Sequence, residues 1–184
     1  MAKFFDALDQ QHTDFIEAQP MFFVASAPAH GGHVNVSPKG GETFRVLSPN
    51  RACYLDLTGS GNETAAHVLQ NGRLTVMFCS FARMAQIMRL FGTGRTFGKG
   101  TAGFNELSKR FPDYVGARQI VTIDIETVQT SCGYQVPVMD FVAERQTLTK
   151  WAEQKGPDGL AAYRAENNRL SIDGLPTGLI GDER

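Results

Sequence analysis

Residues 89 to 101, RLFGTGRTFGKGT, place four glycines, two arginines and a lysine in thirteen positions and come close to a phosphate-binding loop. That loop needs a glycine five positions before its Gly-Lys pair and a Ser or Thr directly after it, so that backbone N–H groups wrap the phosphates and a hydroxyl takes the metal. Here Thr93 and Gly100 hold those two places. The dinucleotide fingerprint fails as well, because Gly92, Gly94 and Gly98 are spaced as GxGxxxG and no clear strand-to-helix turn surrounds them. A nucleotide site must therefore be built some other way.

Other chemistry-bearing residues are scattered. His30 and His33 flank two glycines in HGGH, a pair that reads as loop residues rather than metal ligands. Cys53, Cys79 and Cys132 are odd in number and far apart, which fits reduced, mostly buried thiols; Cys132, with no neighbouring cation or histidine, reads as packed and inert. Glu63 reads as an acid favouring a helix N-terminus.

The totals bound the rest. The chain has 184 residues and 20.2 kDa, 42% hydrophobic and 20% charged residues, and a formal net charge of −1. This describes one folded domain over 1–184, with too little positive charge for a nucleic-acid footprint. No apolar run approaches the ~18 residues of a membrane span, and the first residues lack a secretory pattern, so the expected location is cytoplasmic.

The elements that position these residues follow from periodicity. Phe4, Phe5, Leu8, Phe15 and Ile16 recur at helical spacing, which predicts an amphipathic helix over 3–19 that stops at Pro20. Strands are predicted at 21–27, 33–37, 42–48, 52–57, 73–81 and 86–97, with Gly, Pro, Ser and Asn clusters between them. Residues 117–129 alternate most cleanly, with Val121, Ile123 and Ile125 on one face and Thr122, Asp124 and Glu126 on a wet one. A helix runs from an Asn62 N-cap to Asn71 and Gly72 with Ala65, Ala66 and Leu69 inward, and a short one covers 104–111. The tail is helical, broken at Gly156 and Pro157. About six strands with few long helices between them predict a mainly β fold, an antiparallel barrel flanked by N-terminal and C-terminal helices. The barrel core spans about 20–130 and the helical extension about 140–184.

In this order the segments NVSPKG and FRVLSPNRACYLDLTGSGNETAAHVLQNGRLTVMF resemble the pyridoxamine 5'-phosphate oxidase-like family of FMN-binding split barrels, over roughly residues 14 to 130. Arg45, Val46 and Leu47, then Thr58, Gly59 and Ser60, then Asn71, Gly72 and Arg73 stand at the family's characteristic places. The resemblance implies a split barrel, a homodimer, and FMN at the subunit interface. Its flavin would be held by the strand at Arg45, Val46 and Leu47, by the loop of Thr58, Gly59 and Ser60, and by Asn62 and Thr64 at the following helix, with Gln86 or its neighbour contacting the ring. Free N–H groups and the helix dipole at such a junction suit a phosphate.

Two departures are specific. Members that oxidise pyridoxamine phosphate carry an Arg-Lys pair where this chain has Asn62-Glu63-Thr64, and their C-terminal Trp and Arg-Leu pattern is replaced by SIDGLPTGL. Both points argue against pyridoxamine phosphate as substrate. The cations available to neutralise a phosphate would then be Lys39 and Arg45, Arg89 or Arg95. The expected function is an FMN-dependent oxidoreductase acting on a small molecule. The alternatives are a carrier of flavin or haem without turnover, and a barrel that has lost its cofactor.

Overall fold

A computed structural model describes residues 1–179; the last part of the C-terminal extension, 180–184, lies outside the described residues. Its centre is one antiparallel sheet of eight strands. These are β1 (Lys3–Phe5), β2 (Met21–Ser26), β3 (Asn35–Gly40), β4 (Phe44–Ser48), β5 (Arg51–Leu57), β6 (Arg73–Cys79), β7 (Ile87–Gly98) and β8 (Ala117–Ser131). Among the described residues four α-helices accompany them: α1 (Gln10–Glu17), α2 (Glu63–Asn71), α3 (Ala102–Leu107) and α4 (Thr147–Asn167). The strand order is β3-β2-β6-β7-β8-β5-β4, with β1 added to β8. Strands β3 and β4 end this path, joined by a tight turn but not paired, so the barrel is split between them.

The interior is closed by aromatic packing across that split. Phe22 of β2 meets Phe44 of β4 edge-on at 5.1 Å and Tyr54 of β5 at 5.7 Å, and Phe44 meets Phe78 of β6 at 5.0 Å. Edge-to-face contacts of this kind stabilise beyond the area they bury. Around them Val24, Val76, Met88, Leu90, Val121 and Val128 are wholly buried. A second, outer cluster joins Cys53, Leu55 and Ile120 to Phe104 and Phe111, so α3 and the 3-10 turn after it seal the outside of β5 and β8.

The stretch 89–101 is strand β7 and the turn that follows, not a phosphate loop. Its glycines serve packing. At Gly92, where β7 is bulged against β8, a Cβ would lie on the Asp124 carbonyl oxygen, so only glycine lets the two strands pair. Gly72 ends α2 in the left-handed region at φ 70°, as its position after Asn71 predicts.

Four expectations need correction. Residues 3–5 are strand, not helix, because β8 outruns β5 and its free edge at Val128 to Thr130 captures Phe5, Phe4 and Lys3. Helix α1 starts later, where Asp9 accepts from the His12 N–H at 2.8 Å in a capping box. Thr122 is fully buried, since β5 and β7 flank it and the outer cluster extends that far; the wet face of β8 begins only at Asp124 and Glu126. Leu69 is 59% exposed, because Ala65, Ala66 and Val68 form the buried side of α2. Finally, Cys53 and Cys79 are buried but Cys132 is exposed, placed just past the end of β8 where pairing stops.

Candidate functional site

The barrel mouth holds a cleft of about 670 Å³. On one side lies β3, whose alternation turns Asn35, Ser37 and Lys39 inward; on another lies the end of β5 with Asp56 and Leu57. The loop Gly59–Asn62 and the start of α2 form its floor, with Arg118, the second residue of β8, also lining it. A size of this order suits a cofactor or small ligand.

A buried charge network underlies it. Asp56 is 2% exposed; it receives Lys39 Nζ at 2.5 Å on one oxygen, and Arg118 Nε and Gln119 Nε2 at 2.8 Å each on the other. Burial alone would raise the Asp56 pKa, but Lys39 and then Arg118 overcome it and hold the carboxyl far below the ordinary range. Two cations thus share one carboxylate, which leaves the trio with a net positive charge. Such a cluster is costly to dehydrate and persists only when each member is bonded. Gln119 passes the network on to Asn62 Oδ1 at 2.7 Å, and Arg118 Nη1 donates to Asn168 Oδ1 at 2.9 Å.

Asn62 holds the N-cap position of α2, yet its side chain caps nothing in the helix. It is turned toward Gln119 and the Asn168 carbonyl. The Asn62 side chain therefore leaves the first-turn N–H groups of α2 uncapped, and Glu63 and Thr64 of that turn line the cleft beside Ser60. Glu63, the acid at the helix N-terminus, has its carboxylate bound to the Ile172 N–H at 3.0 Å.

The sequence-derived residues divide into two groups. Lys39, Gly59, Ser60, Asn62 and Thr64 line the cleft, and Thr58 lies buried just below, its hydroxyl donating to the Gly116 carbonyl and accepting from Arg164. The others are elsewhere in the chain. Arg45 points to the outer face, donating to the Arg110 and Phe44 carbonyls over the Phe111 ring. Val46 packs on the barrel core and Leu47 on the outer cluster. Gln86 lies at the β6–β7 turn against Gly133, and Arg95 is exposed on β7 opposite Thr122. Arg89 approaches Ser131.

Asp56, Arg118, Gln119 and Asn168 were missed. A usable signal existed for the first two, since a charged residue inside an apolar strand, as in YLDL and ARQIV, demands a buried partner. Nothing in the sequence announced Asn168.

The family model described as pyridoxamine 5'-phosphate oxidase matches residues 8–132. The chain belongs to that family. Its matched region holds most of the barrel and of the cleft, including Lys39, Asp56 and Arg118, but not Leu170 or Ile172. The pyridoxamine 5'-phosphate oxidase family protein ustO of Aspergillus flavus is 42% identical over 193 residues, covering 96% of this chain and 78% of that protein. Among solved structures, HupZ of Group A Streptococcus is similar with a TM-score of 0.52 at 20% identity, covering 66% of this chain and 91% of HupZ. A candidate pyridoxamine 5'-phosphate oxidase of Lactobacillus delbrueckii gives a TM-score of 0.54 at 18% identity, over 67% of this chain and 94% of the other. These likenesses bear out the split-barrel expectation.

Proposed function

We propose that this chain binds FMN in the barrel-mouth cleft and acts as a flavin-dependent oxidoreductase on a small organic molecule. The observation that carries this reading is the buried Lys39–Asp56–Arg118 trio, with its surplus positive charge, beside the uncapped start of α2. Lys39, 22% exposed at its side chain, supplies a cation, and Ser60, Thr64 and the α2 N–H groups supply short neutral donors for a phosphate. Asp56 orients Lys39. Glu63, committed to Ile172, is held by a donor of its own and does not stand as an unpaired carboxylate against the ligand.

When bound, FMN supplies the electron and hydride chemistry. The protein's share is position, electrostatics and exclusion of water. Arg95 stays on the exposed face of β7, where it would meet flavin only from a neighbouring protomer, so a homodimer is part of the proposal. Pyridoxamine phosphate is not the substrate we infer, because no Arg-Lys pair stands at the loop-to-helix junction.

The test is the visible spectrum of the purified protein, then titration with FMN and reduction by NAD(P)H. Bands near ~370 and ~450 nm that bleach with a donor support the reading. A bound flavin that no physiological donor reduces makes the protein a carrier, a haem spectrum moves the ligand, and a colourless chain that ignores FMN overturns the site.

A further inference from the structure

The cleft has a wall outside the family-matched region. Residues 168–177 form a tight hairpin: Ser171 N–H donates to the Leu175 carbonyl at 2.9 Å, Thr177 N–H to the Arg169 carbonyl at 3.0 Å, and Leu170 bridges Pro176. It is anchored at three points. Asn168, wholly buried, receives Arg118 and donates to the Gly59 carbonyl at 3.0 Å. Ile172 N–H reaches Glu63, and the Asp173 carboxylate takes both the backbone N–H and Nδ1 of His33.

This pinned element turns apolar side chains to solvent. Leu170 is 57% and Ile172 73% exposed, while Ser171 between them is buried. Leu170 sits at the bridge and Ile172 in the turn that follows, and both line the cleft, with Pro38 and Leu57 as its other apolar residues. Isolated exposed aliphatics are ordinary, but a fixed pair on the rim of an otherwise polar cleft is the pattern of a ligand wall. In the flavin reading the floor's surplus positive charge, Lys39 and Arg118 against the single Asp56, faces the FMN phosphate, so the rim does not require a charged ligand.

We propose that the hairpin 169–177 is the selectivity wall of the cleft, and that Leu170 and Ile172 receive the apolar body of a neutral, flat organic co-substrate lying beside the flavin. This rests on the flavin reading above. A charged co-substrate would lose hydration against these side chains and gain no partner.

The test uses full-length protein reconstituted with FMN and carrying ¹³C-methyl labels on Leu and Ile. Menadione serves as the neutral flat probe and ferricyanide as the charged one. The expected result is that the Leu170 and Ile172 methyl resonances shift saturably with menadione and not with ferricyanide. The doubly substituted Leu170→Ser, Ile172→Ser protein should bind menadione at least about tenfold more weakly with unchanged FMN content, read from its absorbance. Three results overturn the wall: methyls silent to menadione whatever the flavin content, methyls that move on dilution alone because a second copy covers them, or loss of FMN from the double variant. A protein without flavin whose two methyls still answer menadione keeps the wall and overturns the flavin reading.

Discussion

Arg118 and Asp56 meet at 2.8 Å with their side chains 4% and 3% exposed, an ion pair joining the start of β8 to the end of β5 inside the barrel mouth. The same carboxylate orients Lys39, so the cleft's one partly exposed member of the trio depends on a pair that solvent does not reach. Removing Asp56 leaves buried Arg118 and partly exposed Lys39 without their counter-charge. Asp56→Asn should destabilise the protein by about 3–5 kcal/mol in urea unfolding. A loss below about 1 kcal/mol would show that water, not Asp56, satisfies Arg118.

The pH dependence has a definite sign. The folded Asp56 pKa is depressed, so its contribution to stability is complete above the unfolded value of about 3.9 and is lost as pH falls from there toward the folded value. The unfolding free energy should drop below about pH 4, and Asp56→Asn should flatten that limb. Parallel acid limbs in the two proteins would assign the loss to other carboxylates.

Lys39 is the test of the phosphate reading. A charge-assisted hydrogen bond is worth about 1.5–3 kcal/mol, so Lys39→Met should weaken FMN binding roughly 10- to 100-fold in a fluorescence titration. Equal affinity in the variant would place the phosphate away from β3.

Gly92→Ala isolates the strand pairing. Its Cβ meets the Asp124 backbone, which cannot step aside as a side chain can, so β7 and β8 must separate locally. The expected cost is at least about 2 kcal/mol by chemical denaturation. A near-neutral result would mean that the bulge absorbs the methyl group.

The thiols should react unequally. Burial pushes the Cys53 pKa up to about 11 and raises that of Cys79, whereas Cys132 is exposed. In the native protein an aromatic disulfide reagent should modify a single cysteine rapidly, and Cys132→Ser should abolish that phase. A fast phase surviving in the variant would point to opening of the sheet around Cys79.

Much of this fold was legible along the chain because strand alternation is local. The segments 21–26, 44–48, 51–57, 73–79, 87–98 and 117–131 were all readable from apolar periodicity and turn residues, and so was the break of the last helix at Gly156, where φ is 64°. The same reasoning misread residues 3–5, since Phe4 and Phe5 suit a helix by spacing and become strand only because β8 offers a free edge 125 positions away, as in Phe4 opposite Gln129. Thr122 was misplaced for a related reason: alternation shows two faces but not what covers each.

Local signals also marked the loop and helix start at Gly59, Ser60, Asn62 and Thr64, and the resemblance over residues 14–130 marked the family. The sequence by itself determined the strands other than β1, the turn glycines and the kind of barrel, because those depend on neighbouring residues and on backbone preferences. Only the tertiary structure decided which charges form the site. Asp56 and Arg118 are 62 residues apart, and Asn168 and Gly59 are 109 apart. Coulomb and hydrogen-bond terms act over a few ångströms of space, so they pair whatever the sheet brings together, and no local pattern along the chain encodes that meeting.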